Sequence, residues 1–331
     1  MVMASAAVTL LKVFRSNPRE DIQRLIRWSA AHSASRAALN RVYSRLPLIH
    51  QASFYEYFAK VFCGYAGNFT DGFWTVAFSG KSINIPLRRY WAWLQWDIAL
   101  SLLGHDVEIK QSYESLLAMR PSPKLILDVG ANYGSHSILF LVHGVETISF
   151  EPNPNCHIFF RELCALNQVD CRIEPVALGR SPGSVELLFP RGAEWMGTTD
   201  SSAKDALASY GELSNLTVTQ LVLDDYVEGH SLKPQVIKID TEGNEPNVLL
   251  GSGRTLNRHR PIVIFESLAP TDRDFLFVFF AQQLYKVCNL PFYATAAPQE
   301  LNLDQFRLNQ RTNFVGVPEE SLKSWPPRFD S

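Results

Sequence analysis

Five short apolar runs, four of them closing on a carboxylate, constrain the fold of this chain more than any other feature. They are Leu125-Ile126-Leu127-Asp128, Thr147-Ile148-Ser149-Phe150-Glu151, Cys171-Arg172-Ile173 onward to Ala177, Val236-Ile237-Lys238-Ile239-Asp240 and Ile262-Val263-Ile264-Phe265-Glu266. Each is too short for a buried helix, and a short unbroken apolar run is the mark of a strand covered on both faces. Helical periodicity follows most of them, over 135–143, 155–167, 245–257 and 271–284. Strands that alternate with helices predict an α/β, doubly wound, mostly parallel Rossmann-like sheet. Further strands are expected at 184–190 and 216–223, around a Gly/Ser-rich loop, and at Phe292 and 313–317.

The first hundred residues read differently. Helical spacing covers 19–60, glycine-punctuated β pieces such as Phe73-Trp74-Thr75-Val76-Ala77-Phe78 fill 64–86, and helix returns over 90–119. Pro121 and Pro123 mark the boundary, giving a helical N-terminal region with a small β element (1–120) and a Rossmann-like domain (121–331). The 331 residues suffice for two cores, and the 46% apolar share excludes a disordered chain. The net charge of −2 argues against a protein that coats nucleic acid, so no nucleic-acid partner is expected. That figure averages two unlike parts. Residues 1–50 hold eight Lys/Arg against Glu20 and Asp21, an excess of six, so the remaining residues carry eight more acids than bases. A basic segment beside the apolar Met1–Phe14 is compatible with a solvated cap, with contact to a membrane surface, or with an organellar address. Five cysteines without a C-x-x-C pair suggest reduced thiols and a cytoplasmic location. No apolar run reaches the roughly 18–20 residues that span a bilayer.

In an open parallel sheet, ligands bind beyond the carboxyl ends of the strands. The first strand runs into Asp128-Val129-Gly130-Ala131-Asn132-Tyr133-Gly134, a tight turn that brings backbone close to a ligand. Glu151 closes the next strand about 20 residues on, where an acid can accept from both hydroxyls of a ribose. Dinucleotide enzymes use G-x-G-x-x-G, and the middle glycine is missing here. Asp128 would also repel a pyrophosphate, whereas it suits a cationic ligand with an amino-acid tail such as S-adenosylmethionine. A nicotinamide-dependent oxidoreductase is therefore the disfavoured rival.

Five segments together resemble the FkbM family of methyltransferases: Leu127 through Gly134, Phe150-Glu151-Pro152-Asn153-Pro154, Pro175-Val176-Ala177-Leu178-Gly179, Leu223-Asp224-Asp225-Tyr226, and Ile237-Lys238-Ile239-Asp240-Thr241-Glu242-Gly243-Asn244-Glu245. They occur in the family's order over about residues 105–317, and the last block is the most distinctive. The resemblance implies an S-adenosylmethionine-dependent O-methyltransferase acting on a hydroxyl of a sugar, glycolipid or natural product. It implies that Asp128, Gly130, Asn132 and Gly134 hold the methionine part, Glu151 the ribose, and Ala177 and Leu178 the adenine edge through backbone groups.

A hydroxyl acceptor must lose its proton, and a carboxylate or histidine within hydrogen-bond reach can take it. Asp240 and Glu242 are the first candidates and His136 the second. Tyr133 and Trp195 could offer π faces to a sulfonium. Lys238, inside a buried-type run, is expected to pair with a neighbouring acid. Asp224 and Asp225 suit a turn cap better than a Mg²⁺ site, so a metal is compatible with the sequence and not favoured. A scaffold that keeps the fold without turnover is the rival outside enzymes.

Overall fold

The computed structural model describes residues 18–62, 71–88, 92–268 and 272–329. Met1–Phe14, on which the membrane-surface expectation rests, lies outside them. The chain divides into two units, Met1–Val107 and Glu108–Ser331. No helix among the described residues is long and apolar enough to cross a membrane.

The first unit holds helices α1 (Pro18–Ala31), α2 (Ser33–Tyr43), α3 (Leu48–Phe62) and α4 (Ala92–Gly104) and the antiparallel pair β1 (Gly72–Phe78) and β2 (Lys81–Leu87). The hairpin turns at Ser79-Gly80, both at positive φ, as a two-residue loop between right-twisted strands requires. One face of the pair is buried through Trp74, Val76, Phe78, Ile83 and Ile85. Tyr43 of α2 meets Trp74 with ring centroids 5.1 Å apart. Asn40 fixes the helix to the strand, accepting from Thr75 N at 2.8 Å and donating to Thr75 O at 2.5 Å.

The second unit opens with the body of α5 (Val107–Ala118) and is built on a seven-stranded sheet. Its strands are β3 (Leu125–Val129), β4 (Glu146–Phe150), β5 (Arg172–Glu174), β9 (Val236–Ile239), β10 (Ile262–Glu266), β11 (Tyr285–Asn289) and β12 (Asn313–Pro318). Their order is β11-β12-β10-β9-β3-β4-β5, parallel except for β12. A smaller three-stranded sheet carries β6 (Ala177–Leu178), β8 (Leu213–Leu221) and β7 (Gly183–Pro190) in that order. The chain winds outward from β3 to β5 and then, from β9, in the opposite direction, so β3 and β9 meet at a topological switch point. Val129, Ile237, Ile239, Val263 and Phe265 form its buried floor.

Four expected elements differ in detail. The helix after the glycine turn, α6, is only Ser137–Leu141, because His143 N and Gly144 N bond back to Phe140 O and Leu141 O in tighter turns. The helix expected over 245–257 is two, α10 (Glu245–Leu250) and α11 (Gly253–His259). The break lies at Gly251, whose carbonyl accepts from Asp224 N at 2.9 Å and whose Cβ position would fall 2.3 Å from Gly179 O. Leu223 ends no strand; it begins α9 (Leu223–Gly229). Phe292 is not in a strand either. Its place is taken by β11, ending before Pro291, which has no N–H to extend a ladder.

Candidate active site

The site is built where the loops after β3, β4 and β9 converge. The loop after β3 holds two left-handed glycines, Gly130 (φ 79°) and Gly134 (φ 78°). Their freedom serves the protein's own crossing as much as any ligand. A Cβ on Gly130 would sit 1.7 Å from Asp240 O, and one on Gly134 would sit 2.2 Å from the Phe160 ring on α7 (Pro154–Leu166). The first glycine thus lets the β3 and β9 loops touch across the switch point. Gly130 N and Ala131 N both donate to Phe150 O, sewing the turn to the end of β4.

Glu151 lies directly beyond β4. Its Oε2 accepts from Asn132 N and its Oε1 from Asn153 N, both at 2.7 Å. Burial pushes this carboxyl up to about 7, against the pull of those two backbone donors. Each oxygen has used one of its two acceptor sites, so a diol can still donate to both. Asn132 itself stands at φ 52°, a conformation that asparagine tolerates better than most residues.

The strand pairing of Asp128 with Lys238 brings the remaining charges together. The Asp128 carboxylate points inward. Its Oδ2 accepts from Ser137 Oγ at 2.5 Å, Ser137 Oγ lies 2.8 Å from Ser149 Oγ, and its Oδ1 is 3.7 Å from Lys238 Nζ. Lys238 Nζ also donates to Asp240 Oδ2 at 3.0 Å. Asp240 is the member of this chain that reaches the surface, its side chain 26% exposed against 4% for Lys238 and 2% for Asp128. The expectation that Lys238 pairs with an acid holds twice over. Burial raises Asp128 and Glu245, while the Lys238 ammonium draws Asp128 back down.

Glu242 follows at φ 55°, on a loop braced from beneath. Glu245 accepts from Thr241 N at 2.6 Å, Thr241 Oγ1 at 2.9 Å and Gly243 N at 3.1 Å. Thr198 Oγ1 donates to Glu242 O at 2.8 Å. The same segment reaches the glycine turn, where Asn132 Nδ2 donates to Trp195 O at 3.3 Å. Residues 195–198 therefore strap the β3 loop to the β9 loop.

Other expected residues are placed less centrally. His136 is buried, with Nδ1 3.0 Å from Tyr113 Oη on α5. Tyr133 is buried, its ring centroid 5.7 Å from that of Phe159 and nearly perpendicular to it. Ala177 and Leu178 are buried in β6, and Leu178 O accepts from Asn244 Nδ2 at 3.1 Å. Asp224 is a cap, accepting from Arg254 N at 2.9 Å and Thr255 N at 2.7 Å, and Asp225 pairs with Arg254 at 2.6 Å. Among the described residues no cluster of three or more His, Cys, Asp or Glu side chains could hold a metal ion. Sequence reasoning passed over Ser137, Ser149 and Thr198. A serine just behind the glycine turn was a usable signal, whereas Thr198 carries none.

Three carboxylates, Asp128, Glu151 and Asp240, thus feel the Lys238 ammonium, and Glu245 lies near Asp240. Such a site suits a ligand that brings positive charge and a vicinal diol. Residues 128–289 match the family model described as the methyltransferase FkbM domain. Over that stretch the chain is similar to the FkbM methyltransferase domain. The match opens on the strand-end Asp128 and takes in the glycine turn, Glu151 and the Asp240–Glu245 loop. Hexuronic acid methyltransferase AglP of Haloferax volcanii is 27% identical over 151 residues, covering 45% of this chain. The chain spans 58% of that relative's length. Among solved structures, the FkbM methyltransferase of Methylobacillus flagellatus is similar at 13% identity and a TM-score of 0.38, over 70% of this chain and 55% of that one. The tRNA (uracil-54, C5)-methyltransferase of Pyrococcus abyssi, in complex with S-adenosyl-L-homocysteine, is similar at 12% identity and a TM-score of 0.36, over 74% and 42%.

Proposed function

We propose that the chain is an S-adenosylmethionine-dependent O-methyltransferase whose acceptor is a hydroxyl of a sugar, free or in a glycolipid or natural product. The observation that carries this reading is the seam between β3 and β9, where the glycine turn is bonded to the Glu151 carboxylate through Asn132 N and packs against the Asp240 carbonyl, with the Asp240 carboxylate held by Lys238. Glu151 would take the ribose hydroxyls, and the Gly130–Gly134 turn would lie along the methionine part. Asp128 would act from behind the turn, through Ser137 and Lys238. Bound there, S-adenosylmethionine supplies an electrophilic methyl group on a sulfonium.

The protein's share of such a displacement is alignment and removal of one proton. Asp240 is our candidate for the base. It stands at the end of the central strand, is fixed by Lys238 at 3.0 Å, and is part-exposed, so a hydroxyl can reach it. Glu242 is the alternative base, presented one turn further on by the braced loop. His136, with one ring nitrogen engaged by Tyr113, stands behind both. The sugar acceptor is suggested by the hexuronic acid methyltransferase relative. No metal is needed in this scheme, and Asp224 and Asp225 serve α11 and Arg254 instead.

The test is calorimetry with S-adenosylmethionine and with NAD, followed by assay of S-adenosylhomocysteine release with hydroxylated sugars. Binding of the first ligand alone, with product formation that Asp240→Asn slows at least a hundredfold, is the expected result. Tight NAD binding without S-adenosylmethionine binding refutes it.

A further inference from the structure

Lys238 is buried in the middle strand of the sheet, yet it is bound to groups on both sides of the switch point. It is 3.0 Å from Asp240 Oδ2 just beyond the end of its own strand and 3.7 Å from Asp128 Oδ1 on β3. Glu151 from the end of β4 also feels the ammonium, and Glu245 from α10 faces Asp240. Among the described residues these groups set one cation, Lys238, beside the carboxylates of Asp128, Asp240 and Glu151, with Glu245 near Asp240. The nearest two differ in kind. Asp128 is sealed in with Ser137 and Ser149, whereas Asp240 is open to an acceptor.

We propose that Lys238 is a positioning residue for methyl transfer, an ammonium shared between Asp128 and Asp240 that aims Asp240 and keeps the site's charge balanced when Asp240 takes the acceptor's proton. The inference rests on the reading of Asp240 as the base. In the resting state the ammonium is divided between two carboxylates. As the acceptor O–H bond breaks, its proton passes to Asp240, the oxygen's electron pair forms the new bond to the methyl carbon, and the sulfonium sulfur keeps the electrons of the bond it loses. Asp240 is then neutral, and Lys238 is left facing Asp128, a complete buried ion pair and not an isolated charge. The proton leaves from Asp240 to solvent through its exposed edge. Without Asp128, the ammonium would lose its buried partner and be left to Asp240. Without Lys238, Asp240 would lose the 3.0 Å bond that tethers it and keep Asp128 and Glu245 as acidic neighbours.

The experiment measures kcat and KM for both substrates against pH in Lys238→Met, Lys238→Arg and Asp128→Asn. In Lys238→Met, kcat should fall at least tenfold and its acidic limb should move up by about one pH unit, the low end of what an opposite charge within contact distance produces. The dissociation constant for S-adenosylmethionine should stay within a few-fold. Lys238→Arg, which keeps the charge, should restore the limb. Asp128→Asn should move the limb the other way, to lower pH, and this variant keeps the proposal testable where Lys238→Met fails to fold. Limbs unmoved in Lys238→Met and Asp128→Asn, or moved in the same direction, overturn the proposal, since a purely structural loss lowers activity without opposed shifts. If Asp240→Asn turns over like the wild type, the assignment of the base is what fails. If Asp240→Asn is slow and the opposed shifts are absent, only the role of Lys238 fails.

Discussion

Glu151 gives the sharpest quantitative handle on cofactor binding. In the ligand-free protein its carboxyl is pushed up to about 7, from an ordinary value of 4.5, because it is buried with only two backbone donors to steady its charge. A ribose that donates two hydroxyl hydrogens to it stabilises the charged form and draws the value back down. Binding therefore releases a proton wherever the free protein still holds one. At pH 6 about nine in ten free molecules carry that proton, so the dissociation constant for S-adenosylmethionine should be about tenfold weaker than at pH 8, or about 1.4 kcal/mol. Below that the loss should be about tenfold per pH unit until the bound-state value is reached. Calorimetry at pH 6 in buffers of different ionisation enthalpy should report nearly one proton released per site. Glu151→Gln should bind more weakly at pH 8, with a flat pH dependence and no proton release. The same raised value makes the apo protein less stable as pH climbs from about 4.5 through 7, because the folded state holds the proton more tightly than the unfolded one. A pH-independent affinity between pH 5.5 and 8, with no proton released by the wild type, would refute this account of the carboxyl.

Three further outcomes follow from local geometry. Gly130→Ala should abolish soluble folded protein or cost more than about 4 kcal/mol by denaturant unfolding, since its methyl would occupy the place of the Asp240 carbonyl. Arg273 is buried and donates to the carbonyls of Phe306, Asn309 and Arg311 at 2.8, 2.6 and 2.8 Å, so Arg273→Met should leave them unpaired and cost about 2–4 kcal/mol, read as a drop in Tm. Asp224→Ala removes two bonds at the start of α11 and should cost about 1–2 kcal/mol in chemical denaturation, with cofactor affinity unchanged.

The parallel core was legible because its strands are covered on both faces and so appear as unbroken apolar runs. β11 was hidden because Lys286 and Asn289 interrupt its apolar pattern, and Phe292, the more conspicuous residue, sits beyond Pro291. Within the site, the carboxylates at strand ends could be found from position alone. What each one touches could not. That Asp128 faces Lys238 depends on the register of β3 against β9, which nothing local to either strand determines. The glycines were read as yielding to a ligand, and they yield first to Asp240 and Phe160. The strap through Trp195 and Thr198 comes from a loop without periodicity, and its bonds go to backbone carbonyls that every residue possesses.

The meeting of β3 and β9 also has a bearing on how the protein acquires its pocket. Asp128 and Lys238 are partners across a bond ladder but about 110 residues apart in the chain, with the whole of β4 to β8 made in between. The closure entropy of so long a loop must be met before the two strands reward it. A nascent or truncated chain that ends before β9 carries Asp128, the glycine turn and Glu151 but lacks Lys238 and Asp240, so the site is incomplete in it. A ligand seated on that seam therefore acts as a clasp between the two halves of the sheet, and its binding reports completed assembly of the whole second unit.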